Sequence, residues 1–377
     1  MLLQSVDTYF LTFEKIALTF AKNLTMRSNA NKNIIYSIIL LLLVAVVYLY
    51  RQNQNKPEEE AVELATGKIV LTGSTMGTSY RIVYLDIAER DFKKEIDSVL
   101  VDFNQSMSTY IKTSEISQFN QTDTLYFNSG YFLPILEESK TIHEITAGAF
   151  DPTVGPLTDL WGFGPEGPQL KDSVNIDNML QYVNFGLISF DQVKAWKPMN
   201  EMHLDFSAIA KGYGVDVIAS YLESMGIENM LVEIGGELVA RGVNENGELW
   251  KVGVNTPSED NNSEELFGII ALENRGMATS GNYRNYYEVD GLKISHTINP
   301  KTGRPVRHNL LSATVLAENC MRADALATAI MVMGKEEAIA LQAKSNFEFY
   351  LIYSDESGEI KSHASEGIKP YLSFSLN

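Results

Sequence analysis

The chain has 377 residues, a hydrophobic fraction of 45% and a formal net charge of −18. That length can bury a substantial core, as one large domain or about two. The acidity argues against a binder of nucleic-acid backbone, because no run of Lys or Arg supplies a local basic patch; an anionic ligand would need a metal cation beside it. The single cysteine, Cys320, excludes an intrachain disulfide and a thiolate metal cluster, and reads as a buried apolar residue.

In chain order, residues 1–33 form an extension in which Met26, just ahead of Arg27, marks a conventional start for an export signal. Residues 34–50, I-I-Y-S-I-I-L-L-L-L-V-A-V-V-Y-L-Y, carry no charge. As a helix they would extend about 26 Å, and the tyrosines at the ends resemble interfacial anchors, so a transmembrane helix is predicted here. No lipid-attachment cysteine or clear cleavage site follows, which favours an uncleaved anchor. Residues 51–66 are polar and acidic and read as a flexible tether. Residues 67–377 then form the folded domain.

Within it, Ile69–Leu71 and Tyr80–Tyr84 have strand character around the turn-prone G-S-T-M-G-T-S, which predicts a hairpin. From Asp91 to Met107 the apolar residues Phe92, Ile96, Leu100, Phe103 and Met107 recur at helical spacing. A second helix is expected over Leu133–Ile145, followed by the loop A-G-A-F-D-P-T-V-G-P-L. Leu204–Phe206 reads as a strand running into a helix from Ala208 to Met225, and Met230–Ile234 as a strand ending at Gly235-Gly236. Short strands fill Leu249–Thr314; helices are expected over Met321–Met333 and Glu336–Lys344, with a strand at Phe347–Tyr353. Strands and helices mix without a strict β-α-β rhythm. The expected fold is therefore α+β, with mixed sheets and packed helices, preceded by one N-terminal transmembrane helix.

Several segments have the chemistry of a site. Leu204–Asp216, L-D-F-S-A-I-A-K-G-Y-G-V-D, combines Asp205, Lys211 and two glycines, which suits a phosphate held with a divalent metal. An exposed lysine among core-packing Ala and Ile is the plainer reading. Asp324 and Thr328 lie four residues apart on one helix face and offer hard oxygen ligands, or else form a polar helix edge. His296, in H-T-I-N-P-K-T-G-R-P, sits at a strand end before a turn and can take a proton at neutral pH, although a lone histidine is often structural. Phe150 and Tyr110 could stack on a flat ring or pack in the core. Gly162–Gly167 formally matches G-x-G-x-x-G, but Pro165 falls inside it and no strand precedes it, so the dinucleotide fold is rejected.

Read together, the stretches T-M-G-T (Thr75–Thr78), M-S-T-Y (Met107–Tyr110), Ala147–Leu157, Leu204–Asp216, I-G-G-E (Ile234–Glu237), A-T-S-G-N-Y (Ala278–Tyr283), His296–Pro305 and A-D-A-L-A-T-A (Ala323–Ala329) resemble the ApbE family of FAD:protein FMN transferases. The resemblance runs from about Gly67 to the C-terminus. It implies Mg²⁺-dependent transfer of FMN from FAD to a Thr or Ser hydroxyl of a target flavoprotein, releasing AMP. A FAD pyrophosphatase and a non-catalytic FAD-binding protein are the alternatives. It places Met76, Tyr110, Ala149, Phe150, Asp151, Asp205, Lys211 and Ile298 against FAD. It places the Ala208 carbonyl, Asp324 and Thr328 on Mg²⁺, and His296 or Asp324 as the base that activates the acceptor. Two departures are mild: Phe206-Ser207 replaces a small pair, and Asn299 stands where Asp is frequent. The anchor and tether, with the resemblance, imply an extracytoplasmic domain on a bacterial inner membrane. The acceptors implied are flavoprotein subunits of membrane redox complexes, such as the sodium-pumping NADH:quinone oxidoreductase or its Rnf relatives.

Overall fold

The computed structural model describes residues 67–164, 176–256, 266–281, 286–289 and 292–373, together with Tyr36, Ile39 and Leu41. The chain divides into two compact units, 1–62 and 63–377. The second unit contains the folded architecture.

Its centre is an eight-stranded antiparallel sheet. Strands β1 (Lys68–Thr75) and β2 (Thr78–Leu85) form the expected hairpin in full register, Lys68 opposite Leu85 and Thr75 opposite Thr78. They are followed by β3 (Met230–Ile234) and β4 (Glu237–Arg241). A three-stranded sheet uses β5 (Trp250–Asn255) and β6 (Leu266–Leu272). The large sheet resumes with β7 (Gly276–Gly281), β8 (Leu310–Ala317), β9 (Glu348–Ser354) and β10 (Ile360–Ala364), and β11 (Leu372–Ser373) pairs with β6. The order across the large sheet is β1-β2-β3-β4-β7-β8-β9-β10, and across the small one β11-β6-β5.

Besides a single short turn of helix at Ile176–Leu180, the helices are α1 (Lys93–Met107), α2 (Glu115–Gln121), α3 (Phe132–Ile145), α4 (Gly155–Leu160), α5 (Ala210–Ser224), α6 (Cys320–Met333) and α7 (Lys335–Gln342). Side chains alternate across the sheet with the period of two that a pleated strand imposes. Ile82, Tyr84, Val232 and Ile234 face Ile96, Leu100, Val215, Ile218 and Leu222 of α1 and α5. Val83, Leu231, Leu238 and Leu316 face the opposite way, toward Trp250, Val254, Ile270 and Leu272 of the small sheet. A third cluster joins Phe349 and Leu351 of β9 to Leu326 and Ile330 of α6. The central strands of the large sheet are covered on both faces, as the burial of successive residues of β3 and β4 shows, whereas the edge strands β1 and β10 are largely exposed.

Two local features place the site. Gly235 and Gly236 both have positive φ, 61° and 99°, so the β3–β4 turn is open to residues that tolerate the left-handed region and delivers Glu237 as the first residue of β4. At Gly212, a Cβ would lie 2.3 Å from the Cys320 carbonyl oxygen and 2.8 Å from the Asp324 Cβ. Helices α5 and α6 therefore meet backbone to side chain at that glycine. Asp216, one turn further along α5, accepts from the Cys320 and Met321 N–H groups at 2.9 and 2.7 Å. Asn319 accepts from Arg322 N–H at 2.8 Å. Three of the N-terminal amides of α6 are thus satisfied by side chains.

Some expectations need correction. Leu204–Phe206 is not a strand, since only His203 makes an isolated bridge, to Val154, and the following helix begins at Ala210. The Asp205 backbone instead donates to the Pro152 carbonyl at 2.7 Å, which commits that segment to loop packing. The transmembrane helix is also corrected: among the described residues no helix is long and apolar enough to cross a membrane. Of residues 34–50 only Tyr36, Ile39 and Leu41 are described, each helical and exposed, and the rest of that segment lies outside the described residues. The inner-membrane placement and the membrane as a partner rested on that helix and are withdrawn with it. The α+β architecture of the folded unit stands.

Replacing Gly212 with Ala pushes a methyl group into the α6 backbone, so Gly212→Ala is expected to destabilise the fold by about 1–3 kcal/mol. Gly130, where an added Cβ meets nothing within 4 Å, is the control, with a change inside about 0.5 kcal/mol for Gly130→Ala. Urea unfolding of the two variants measures the contrast.

Candidate active site

The α5–α6 contact carries a buried charge cluster. Lys211 Nζ lies 2.9 Å from Glu237 Oε1 and 3.9 Å from Asp324 Oδ1. Asp324 Oδ2 accepts from the Gly212 N–H at 3.0 Å. Both carboxylates are buried, at 5% exposure each, whereas Lys211 is partly exposed. Burial disfavours the Lys211 ammonium, but the charges of Asp324 and Glu237 outweigh it and hold its pKa above the ordinary lysine value. Burial pushes the Glu237 carboxyl up to about 7, with the Asp324 charge adding to the rise and Lys211 opposing it. Asp324 is raised by burial too, against the pull of Lys211 and the Gly212 amide. Glu237 Oε2 is buried and has no hydrogen-bond partner among the described residues.

Thr328 is half-buried one turn along α6 from Asp324, and Ala208 is half-buried in the turn 207–209 that leads into α5. A carboxylate, a hydroxyl and a backbone carbonyl are all hard oxygen donors, and together with the orphaned Glu237 oxygen they are chemically suited to a Mg²⁺-type cation rather than a soft metal. The expectation of a metal-binding protein is nevertheless corrected as a property visible in the fold. Among the described residues no group of three or more His, Cys, Asp or Glu could hold a metal ion.

A second constellation is organised by residues 149–163. Asp151 is buried and fully engaged: Oδ1 accepts from the Thr153 N–H at 2.8 Å, and Oδ2 accepts from the Phe185 N–H at 3.0 Å and lies 3.5 Å from His143 Nδ1. It therefore shapes its loop. Asp205 accepts from the Ser207 N–H at 2.8 Å and from the Thr158 hydroxyl at 3.3 Å. Trp161 Nε1 donates to the Gly303 carbonyl at 2.8 Å, and the Phe163 ring meets the His296 ring edge-on at 6.3 Å. One segment thus fastens the Asp205 loop on one side and the His296–Pro305 turn on the other. Within that turn Asn299 Oδ1 accepts from the Lys301 and Thr302 N–H groups at 2.9 and 3.3 Å, an Asx turn that gives Asn299 a structural task.

The remaining expected residues divide by burial. Ala149, Phe150 and Ile298 are buried, and the Phe150 ring belongs to the core, so it is not free to stack on a ligand. Tyr110 is 73% exposed and is free to do so. Met76 has φ 51°, and its Sδ would lie 3.4 Å from a Cβ at Gly214, which puts it beside the start of α5. Glu237 was not singled out from the sequence as a site residue. Its signal was the Gly-Gly turn immediately before it. A cavity of about 860 Å³ lies on another flank of α5, lined by residues including Asp102, Glu115, Tyr131, Tyr213 and Asp216, and by none of the expected site residues. Its buried Glu115 is saturated by Ser106, Asn128 and Ser129, so it serves as a structural anchor.

A lysine held between two buried carboxyl groups where two helices of an α+β scaffold meet is the candidate site of this chain. A profile of the ApbE family matches residues 76–351. The FAD:protein FMN transferase of Vibrio cholerae is 42% identical over 316 residues, covering 81% of this chain and 93% of that one. The enzyme of the same name from Haemophilus influenzae is 38% identical over 319 residues, covering 81% and 92%. Among solved structures, the flavin transferase ApbE of Vibrio cholerae superposes with a TM-score of 0.72 at 39% identity, covering 81% of this chain and 99% of that one. The apo flavinyl transferase ApbE of Pseudomonas stutzeri gives 0.72 at 28% identity, covering 83% and 98%. The chain belongs to the ApbE family.

Burial pushes the Asp216 carboxyl up to about 6 despite its two amide donors. Its folded pKa lies above the unfolded value near 3.8, so the folded state holds the proton more tightly and stability falls as pH rises from about 4 through 6. Asp216→Asn, which keeps an acceptor for α6, is expected to flatten that fall by about 1–3 kcal/mol in denaturation curves taken across the window.

Proposed function

We propose that the chain transfers the FMN half of FAD to a target flavoprotein, through a Thr or Ser hydroxyl, and releases AMP. The observation that carries this reading is Lys211, held between Glu237 and Asp324 where α5 and α6 meet, in a chain of the ApbE family. A nucleotide pyrophosphate supplies the anion that such a lysine faces.

Each residue then has a task. Lys211 and Asp205 orient the dinucleotide from the two ends of one segment. Met76 and the exposed Tyr110 border the flavin, and the buried Ala149, Phe150 and Ile298 contribute backbone and shape. Asp151 keeps its loop in the conformation that presents that backbone. Asp324, Thr328 and the Ala208 carbonyl are the proposed holders of Mg²⁺, which when bound neutralises pyrophosphate charge and makes the FMN phosphorus more electrophilic. His296, placed by the Phe163 contact and the Gly303 anchor, takes the proton from the incoming hydroxyl. The hydroxyl oxygen bonds to the FMN phosphorus, the bond from that phosphorus to the bridging oxygen breaks, and AMP leaves with the electron pair. Such chemistry depends mainly on positioning and charge stabilisation, so few reactive side chains are needed.

Incubation of the protein with FAD, Mg²⁺ and an acceptor flavoprotein tests the reading. Covalent flavin on the acceptor is expected; free FMN alone would mean hydrolysis, and unchanged FAD would mean binding only. His296→Ala is expected to lower kcat by about 10²–10⁴-fold while changing FAD affinity little. An equal loss of both would make His296 structural. Asp324→Ala is expected to abolish Mg²⁺-dependent turnover while circular dichroism shows the fold retained.

A further inference from the structure

Glu237 is a buried carboxylate in the site for which the proposed chemistry has no direct use. It reaches the site because two positive-φ glycines turn the chain sharply at the end of β3, and it is the first residue of β4. Its Oε1 takes the close contact with Lys211, 2.9 Å, and leaves Asp324 with the longer one, 3.9 Å. One ammonium is thus shared unequally between two buried carboxylates. Without the Glu237 carboxyl, the remaining acidic partner for Lys211 in this cluster would be Asp324. A lysine closed onto Asp324 would compete directly with any divalent cation for the same oxygen, because both gain from the same negative charge.

We propose that Glu237 is a positioning residue that holds the Lys211 ammonium off Asp324 and so keeps the Asp324 carboxylate available to the divalent cation. This rests on the reading of Asp324 as a cation ligand. Lys211 is then a built-in competitor of the cation, restrained by Glu237 and aimed at the substrate anion. The arrangement separates the two positive charges that a pyrophosphate needs: one on a lysine, the other on a metal. Both would otherwise collapse onto one carboxylate.

The test measures Mn²⁺ binding to the nucleotide-free full chain by electron paramagnetic resonance, with thermal unfolding as the control for folding. Glu237→Gln keeps the size of the side chain and removes its charge; it is expected to weaken Mn²⁺ binding at least tenfold. Lys211→Met removes the competitor, and is expected to tighten Mn²⁺ binding at least threefold, a gain that misfolding cannot produce. In the Glu237→Gln, Lys211→Met double variant the affinity is expected to return to within threefold of the wild type. Unchanged Mn²⁺ affinity in Glu237→Gln, or a Glu237→Gln defect that Lys211→Met fails to relieve, overturns the proposal. Asp324→Ala separates the two levels of argument. If it binds Mn²⁺ as the wild type does, the cation reading of Asp324 fails and this inference fails with it. If Asp324→Ala loses Mn²⁺ and Glu237→Gln does not, only the role of Glu237 fails.

Discussion

The structure depends on the contact between α5 and α6 at Gly212. The Cys320 carbonyl and the Asp324 Cβ occupy the space that any side chain at position 212 would need, and the Gly212 amide donates to Asp324. The contact is therefore steric and polar at once. It brings the lysine of one helix against the carboxylate of the other, and Asp216 closes the next turn by capping α6. Helix packing elsewhere tolerates volume changes by relaxation. Here the packed atoms are themselves the charged site, so relaxation and function cannot be separated.

The charge balance in that contact has a second consequence. Two buried carboxyl groups, their pKa values both raised by burial, share one ammonium in a protein that is already acidic overall. The cluster therefore offers little net positive charge, and any ionisation beyond one carboxylate repels an anionic dinucleotide. The low-dielectric setting strengthens both the repulsion and the eventual attraction. Under the proposed function, the cation and a single lysine would take the place of a field of arginines in an acidic chain with no basic patch. The segment 149–163 contributes rigidity from the other side, through Thr158 to Asp205 and through Trp161 to Gly303.

Much of this was legible in the residues. The hairpin of β1 and β2, the helix ending at Met107 and the helix ending at Met333 follow local periodicity, which a single segment expresses without help from its neighbours. The misreading of Leu204–Phe206 as a strand has a specific cause. Its alternating apolar residues Leu204 and Phe206 are buried in the helical core, and its backbone is spent on Pro152 and Asn120 rather than on a sheet. Phe150 could not be assigned to ligand or core from its neighbours, because burial of one ring depends on residues far along the chain. Residues 34–50 have the hydropathy of a membrane span, but hydropathy states only what a helix there would prefer, and no described helix reaches the length and apolarity that crossing requires.

By itself, the sequence determined the α+β class, the acidic character and the chemistry-bearing motifs, since composition and short spacing are local properties. It also placed Asp324 and Thr328 on one helical face, because 3.6 residues per turn leave no other choice. Only the tertiary structure decided that Lys211 meets Asp324, that Glu237 is the nearer partner, and that Asp151 is saturated while one oxygen of Glu237 is not. Those facts arise from strands and helices distant in sequence closing on one glycine. Steric fit between distant segments is a pairwise quantity, and no single segment contains it.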